Sequence, residues 1–159
     1  MASTYVIDTS SLIELPQHYP SSNFSGLWDH LEGLVANVRL IAPTEVFKEI
    51  SPGKSHELFQ WCKKNKEMFV DMNSQMLQFV SDIMTNHKGL VPLDKSGPVA
   101  DPFVIALARS RMNNLTDDKI FVVTQEGVGS INKIPFVCRS YNLTAIKLME
   151  LIRLENWKF

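Results

Sequence analysis

Ile120-Phe121-Val122-Val123 contains no polar side chain. A strand with this composition has nothing to offer water on either face. It belongs inside a sheet covered on both sides. Tyr5-Val6-Ile7 and Leu40-Ile41-Ala42, the latter entered through Arg39, read as two further buried strands. Between them, apolar residues recur at helical spacing: Leu27, Trp28, Leu31, Leu34, Val35 and Val38, then Met76, Leu77, Phe79, Val80, Ile83 and Met84. Strands alternating with helices imply an α/β fold, a parallel sheet with helices on both faces.

The remaining segments fill in this frame. Leu12-Ile13 opens a short helix that Pro16 and Pro20 should end, with a loop from Gln17 to Ser25. Pro43 to Ile50 reads as a helix, since proline suits a first turn, and Ser51-Pro52-Gly53 stops it. Leu58, Phe59, Trp61 and Cys62 suggest another helix before the basic turn at Lys63-Lys64-Asn65-Lys66. Asp101-Pro102 starts a helix that runs to Met112. Pro135-Phe136-Val137-Cys138 is expected as a last short strand and Leu143 to Leu154 as a closing helix, with Trp157 and Phe159 packed on the body.

Composition excludes several classes. A chain of 159 residues, 45% hydrophobic, fits one domain over residues 1–159 and needs no covalent staples. Cys62 and Cys138 lack metal-ligand spacing and read as small buried hydrophobes in a reducing compartment. No run approaches the roughly 20 apolar residues of a membrane span, and no basic segment leads into a long apolar one. The protein is therefore expected in the cytoplasm, with no membrane partner. A formal net charge of -1 argues against tight nonspecific nucleic-acid binding, but leaves room for a site where metal ions supply the positive charge.

Functional groups in open α/β sheets collect beyond the carboxyl ends of the strands. Asp8 follows the first strand, Glu45 and Glu49 lie in the helix after the second, and Thr124-Gln125-Glu126 follows the Ile120–Val123 strand. Asp101 opens the helix that precedes that strand. Carboxylates held close repel unless protonated or metal-bound. Oxygen donors without His or Cys select Mg²⁺ or Mn²⁺. Such a site can polarise a phosphoryl oxygen and activate water, so phosphodiester hydrolysis fits.

At these residues the chain resembles the PIN-domain family, metal-dependent ribonucleases that include many bacterial toxins. Val6-Ile7-Asp8-Thr9-Ser10-Ser11-Leu12-Ile13 is similar to the family's opening strand and Asp-Thr/Ser-Ser start. Glu45-Val46-Phe47-Lys48-Glu49-Ile50 resembles the helix with the second acid, Glu49 being the better match, and Ala100 to Ala108 the helix that begins with the third. Val122-Val123-Thr124-Gln125-Glu126 resembles the final strand and its Thr-x-Asp motif, with Glu126 where the family has Asp. Glu reaches one methylene farther, so its ligation, direct or through water, is a departure. The resemblance implies a three-layer α/β/α sandwich with a central, mainly parallel sheet, and a metal-dependent endoribonuclease using Mg²⁺ or Mn²⁺. It assigns Asp8, Glu49, Asp101 and Glu126 as catalytic metal-binding acids, with Ser10 and Thr124 orienting them. It also implies an RNA substrate, a homodimer and, for the toxin of a type II toxin–antitoxin pair, an antitoxin protein.

The alternative is a nonenzymatic PIN-like module that binds nucleic acid or protein. A phosphatase using Asp8 as nucleophile would want a second Asp where Ser10 stands. No Gly-x-Gly-x-x-Gly follows a strand, no P-loop is present, and His18, His30, His56 and His87 show no triad or metal spacing. Arg109, Arg111, Lys95 and Lys133 are the nominees for substrate contact, with Arg109 alternatively pairing with an acid of the site.

Overall fold

The computed structural model describes residues 2–50, 55–92, 99–112 and 119–159. The expected stop at Ser51-Pro52-Gly53 and the nominee Lys95 lie outside the described residues. Five strands form one sheet: β1 (Thr4–Ile7), β2 (Leu40–Pro43), β3 (Phe69–Val70), β4 (Ile120–Val123) and β5 (Thr144–Ile146). Their order is β3-β2-β1-β4-β5 and every pairing is parallel. The described helices are α1 (Thr9–His18), α2 (Ser25–Ala36), α3 (Thr44–Glu49), α4 (His56–Lys64), α5 (Ser74–Asn86), α6 (Asp101–Met112), α7 (Ile134–Ser140) and α8 (Leu148–Leu154). They flank the sheet in a three-layer α/β/α arrangement, as expected.

The register explains why β1 is central. Tyr5 and Val6 pair with Leu40 and Ile41 on one side, while Thr4 to Ile7 pair with Ile120 to Val123 on the other. Tyr5, Val6 and Ile7 are fully buried, which their apolar composition permits. After β1 the chain winds outward to β2 and β3; β4 and β5 then continue from the opposite side. The strand order therefore reverses between β1 and β4, and a crevice at the carboxyl ends of those strands is the natural place for a site.

Helix α6 is the main buried helix, with Val104, Ile105, Ala106, Leu107 and Ala108 all fully covered. It leads into β4, so its C-terminus lies at the amino edge of the sheet and Asp101 at the carboxyl edge. Cys62 and Cys138 are buried and free. Burial pushes both thiols up to about 12, with the charges of Asp8 and Glu126 adding to the effect at Cys138. Among the described residues, no helix is long and apolar enough to cross a membrane.

Several expectations need correction. Pro135-Phe136-Val137-Cys138 is not a strand; it lies in α7, with Pro135 in the first turn where a missing N–H costs nothing. Ile134, Pro135, Val137 and Cys138 are the buried residues, and the i, i+3, i+4 spacing of Ile134, Val137 and Cys138 is helical. The last strand is β5, cut from the expected Leu143–Leu154 helix. Lys147 has an extended backbone (φ -89, ψ 163) and separates β5 from α8. Pro43 ends β2 and caps α3 in an extended conformation rather than occupying its first turn. Helix α1 continues through Pro16 to His18, and the Tyr19 N–H still closes the last turn on the Leu15 carbonyl at 2.8 Å. Strand β3, two residues long, carries too few positions to show alternation. At the C-terminus, Trp157 stacks on His30 of α2 at 4.8 Å and Phe159 meets the same ring edge-on at 5.9 Å, as expected of a packed tail, although Phe159 remains 68% exposed.

Candidate active site at the carboxyl edge of the sheet

Asp8 is the first residue past β1, and its N–H extends the ladder to the Val123 carbonyl at 3.0 Å. It is only 2% exposed. Its extended backbone makes it the N-cap of α1, and Oδ1 accepts from the Ser11 N–H at 3.0 Å. The capping role and the site role therefore fall on one side chain. Ser10 Oγ donates across both carboxylate oxygens, at 2.8 and 3.0 Å, and Thr124 Oγ1 donates to Oδ2 at 2.6 Å.

The direction of these bonds is fixed from behind. The Gln125 N–H donates to Ser10 Oγ at 3.0 Å and the Glu126 N–H to Thr124 Oγ1 at 3.1 Å. With an acceptor position on each hydroxyl filled by an amide, each hydroxyl proton turns to Asp8. Three hydrogens thus reach a carboxylate that has about four acceptor positions, leaving one open.

Burial nevertheless dominates the electrostatics. It pushes the Asp8 carboxyl up to about 6 from its ordinary 3.8; the bonds from Thr124, Ser11 and Ser10 oppose the rise, and the charge of Glu126 adds to it. Asp8 and Glu126 are therefore near enough to feel one another. Lys133 Nζ stands 3.7 Å from Glu126 Oε2, which places that nominee at the site. Cys138 of α7, which feels both acids, also lies beside it.

Glu49, the last residue of α3, accepts from Thr9 Oγ1 at 2.5 Å, so the residue next to Asp8 ties the second acid to the same edge. Glu45, one helical turn earlier, has a buried Oε1 with no hydrogen-bond partner. Asp101 is half-buried in the first turn of α6 and reaches the edge by the run of its helix. The hydrogen bonds and charges above join Asp8, Ser10, Thr124 and Glu126 directly and bring in Glu49 through Thr9. They do not join Asp101 to this group. Among the described residues, no group of three or more Asp, Glu, His or Cys side chains is arranged to hold a metal ion. The donor chemistry of the acids itself fits a hard cation: Asp8, Glu126 and Glu49 offer only carboxylate oxygens, Asp8 keeps an acceptor position open, and the like charge of Glu126 would be relieved.

Arg109 corrects another expectation. It pairs not with an acid of the site but with Asp82 of α5 at 2.9 Å, holding that carboxyl below its usual range. Its guanidinium lies 4.3 Å from the Phe79 ring centre and 4.0 Å from that of Tyr141, whose hydroxyl also donates to Asp82. Arg109 thus clamps α5, α6 and the end of α7. Arg111 shares the last turn of α6, about 15 Å along the helix from Asp101.

The sequence reading missed two supporting residues. Thr9 holds Glu49, and its place beside Asp8 was the available signal. Gln125 reaches back with Oε1 to accept from the Leu148 N–H at 3.0 Å, tying the β4 loop to the start of α8. No local pattern points to that bond, because its partner is 23 residues away.

No curated protein and no solved structure matches the chain. A family model described as "Domain of unknown function (DUF4411)" matches residues 5–159, and the chain belongs to that family.

Proposed function

We propose that the protein is a metal-dependent endoribonuclease whose centre is Asp8. The observation that carries this reading is a buried carboxylate at the carboxyl ends of β1 and β4, oriented by Ser10, Thr124 and the Ser11 amide and repelled by Glu126. A fold that needed only a cap on α1 could use an exposed side chain. Burying a charge against a second acid costs stability and points to a bound cation.

Asp8 and Glu126 would hold Mg²⁺ or Mn²⁺, with Glu49 and Asp101 as the remaining acids of the edge. When bound, the cation supplies polarisation of a phosphoryl oxygen and a water of lowered pKa. Ser10 and Thr124 keep Asp8 ionised and aimed. Lys133, beside Glu126, can meet an RNA phosphate as a point charge. The toxin role, with an antitoxin partner and a homodimer, belongs to the same proposal, as does a cytoplasmic setting in which Cys62 and Cys138 stay reduced.

The test is cleavage of single-stranded and structured RNAs with Mg²⁺ or Mn²⁺. Asp8→Asn and Asp101→Asn are each expected to lower the rate by more than about 100-fold, beyond what loss of an outer-shell partner costs. Full activity in both variants would remove the mechanism. A second reading, a nonenzymatic binding module of the same fold, is favoured by the Glu126–Lys133 ion pair, which already neutralises one acid. RNA binding without cleavage under all metal conditions would select it.

A further inference from the structure

The loop between β4 and α7 starts and ends at the Asp8 site. Glu126 opens it, and Lys133, the last residue before α7, returns to within 3.7 Å of Glu126 Oε2. Its own bonds give the loop a shape: the Asn132 N–H donates to Ser130 Oγ at 3.2 Å, and the Lys133 N–H to the Ser130 carbonyl at 3.3 Å. It is also braced from two sides. Arg139 Nη2 of α7 donates to the Val128 carbonyl at 3.5 Å. The Asn132 side chain lies against Gly89 of the 3₁₀ turn Lys88–Leu90, where any Cβ would collide with its amide.

This braced loop carries two apolar side chains into water, Val128 at 71% exposure and Ile131 at 65%. Their exposure forgoes the stabilisation that burial would give the fold. Paired exposed apolar residues beside a functional site mark a contact surface more than scattered single ones do. Lys88, Lys133 and Arg139 belong to the same surface and are all exposed. Lys133 offsets the charge of Glu126, which leaves Lys88 and Arg139 as the cations flanking the apolar pair.

We infer that the β4–α7 loop grips the RNA beside the bond to be cut, and that it does so by opening the stack at one nucleotide. Lys88 and Arg139 meet backbone phosphates, while Val128 and Ile131 pack on the face of the unstacked base. Aliphatic side chains are suited to that task, since they can enter between base steps as wedges. A strand offers such faces together with its phosphates, whereas a continuous duplex hides the faces within its stack. The inference rests on the RNA reading of the Asp8 site and assigns that site a specificity element. Continuity with the site favours RNA over an acidic segment of a partner protein.

The probe is a short fluorescein-labelled RNA strand. Its binding to the full chain is followed by anisotropy in EDTA, which holds back metal-dependent cleavage, over a range of salt concentrations. KM is then measured with Mn²⁺. Val128→Ser/Ile131→Ser is expected to weaken binding and raise KM by about 10-fold with the salt dependence unchanged. Lys88→Gln/Arg139→Gln is expected to lower the slope of log K against log salt by about 1.4. Lys88→Gln alone, which keeps the Arg139 bond to Val128, is expected to lower it by about 0.7. Thermal melts and Mn²⁺ binding should match the wild type in all three. Wild-type binding and KM in either double variant would overturn the inference, and intact cleavage in that case would leave the Asp8 reading standing. Loop-dependent binding without cleavage under any metal would keep the inference and remove the nuclease. A wild type that binds no strand would overturn both and pass the surface to an acidic protein segment.

Discussion

Replacing Asp8 by Asn should stabilise the metal-free protein at neutral pH. Raising the Asp8 pKa from 3.8 to about 6 corresponds to about 3 kcal/mol against its charged form in the fold. Below pH 3.8 the group is protonated in both folded and unfolded chains and stability does not depend on it. Between 3.8 and about 6 the folded chain keeps a proton that the unfolded chain releases, so stability falls as pH rises. Above about 6 the full penalty is present. Asn carries no charge, and relative to the neutral carboxyl it loses one ordinary hydrogen bond, which offsets the gain by about 1 kcal/mol. The net is about 2 kcal/mol, a rise in Tm of roughly 4–8 °C at this chain length. Urea and thermal unfolding of both proteins in EDTA, at pH 4 and pH 7.5, measure it. The expected result is a gain at pH 7.5 that disappears at pH 4. A variant equally or less stable at both pH values would refute the reasoning, since burial would then not be working against the Asp8 charge.

Two other substitutions follow from the same geometry. Thr124→Val removes a bond that lowers the Asp8 pKa and strands the Glu126 amide, so the acid limb of the pH profile of the proposed RNA cleavage should move up. The change should also cost about 1–3 kcal/mol in urea unfolding and 10–100-fold in metal affinity or rate. An unmoved acid limb would count against the orienting role. Arg109→Lys keeps the charge but loses the planar contact with Phe79 and Tyr141; about 1–2 kcal/mol of stability should go, with RNA cleavage per folded molecule unchanged. A fall in cleavage with no loss of stability would return Arg109 to the site.

Much of the fold is legible because its strongest elements obey simple rules. The Ile120–Val123 run suits a strand buried on both faces, and β4 is a strand in which Val122 and Val123 are fully buried and Ile120 and Phe121 partly so. The periodicity around Met76–Met84 and Asp101–Met112 yields α5 and α6 with nearly the expected bounds. Legibility fails where a run is too short for its period to show. Four residues from Pro135 to Cys138 suit a strand as well as a helix, and only packing against the body decides. Thr144–Ile146 joins the sheet because β4 offers Phe121 to Val123 as partners, a nonlocal fact. The site divides the same way. Asp8, Ser10 and Thr124 are readable from their places after strands, and the structure bonds them. The Arg109 clamp and the Gln125 bond depend on partners 23 or more residues distant, so neither is visible in a local window.

Mn²⁺ binding followed by electron paramagnetic resonance, on the wild type and on Asp8→Asn, bears most directly on the reading of the carboxyl-edge site. Saturable binding by the wild type, abolished by a change that leaves the fold more stable, is the predicted result. Undiminished binding by a folded Asp8→Asn protein, or none by the wild type, would contradict it.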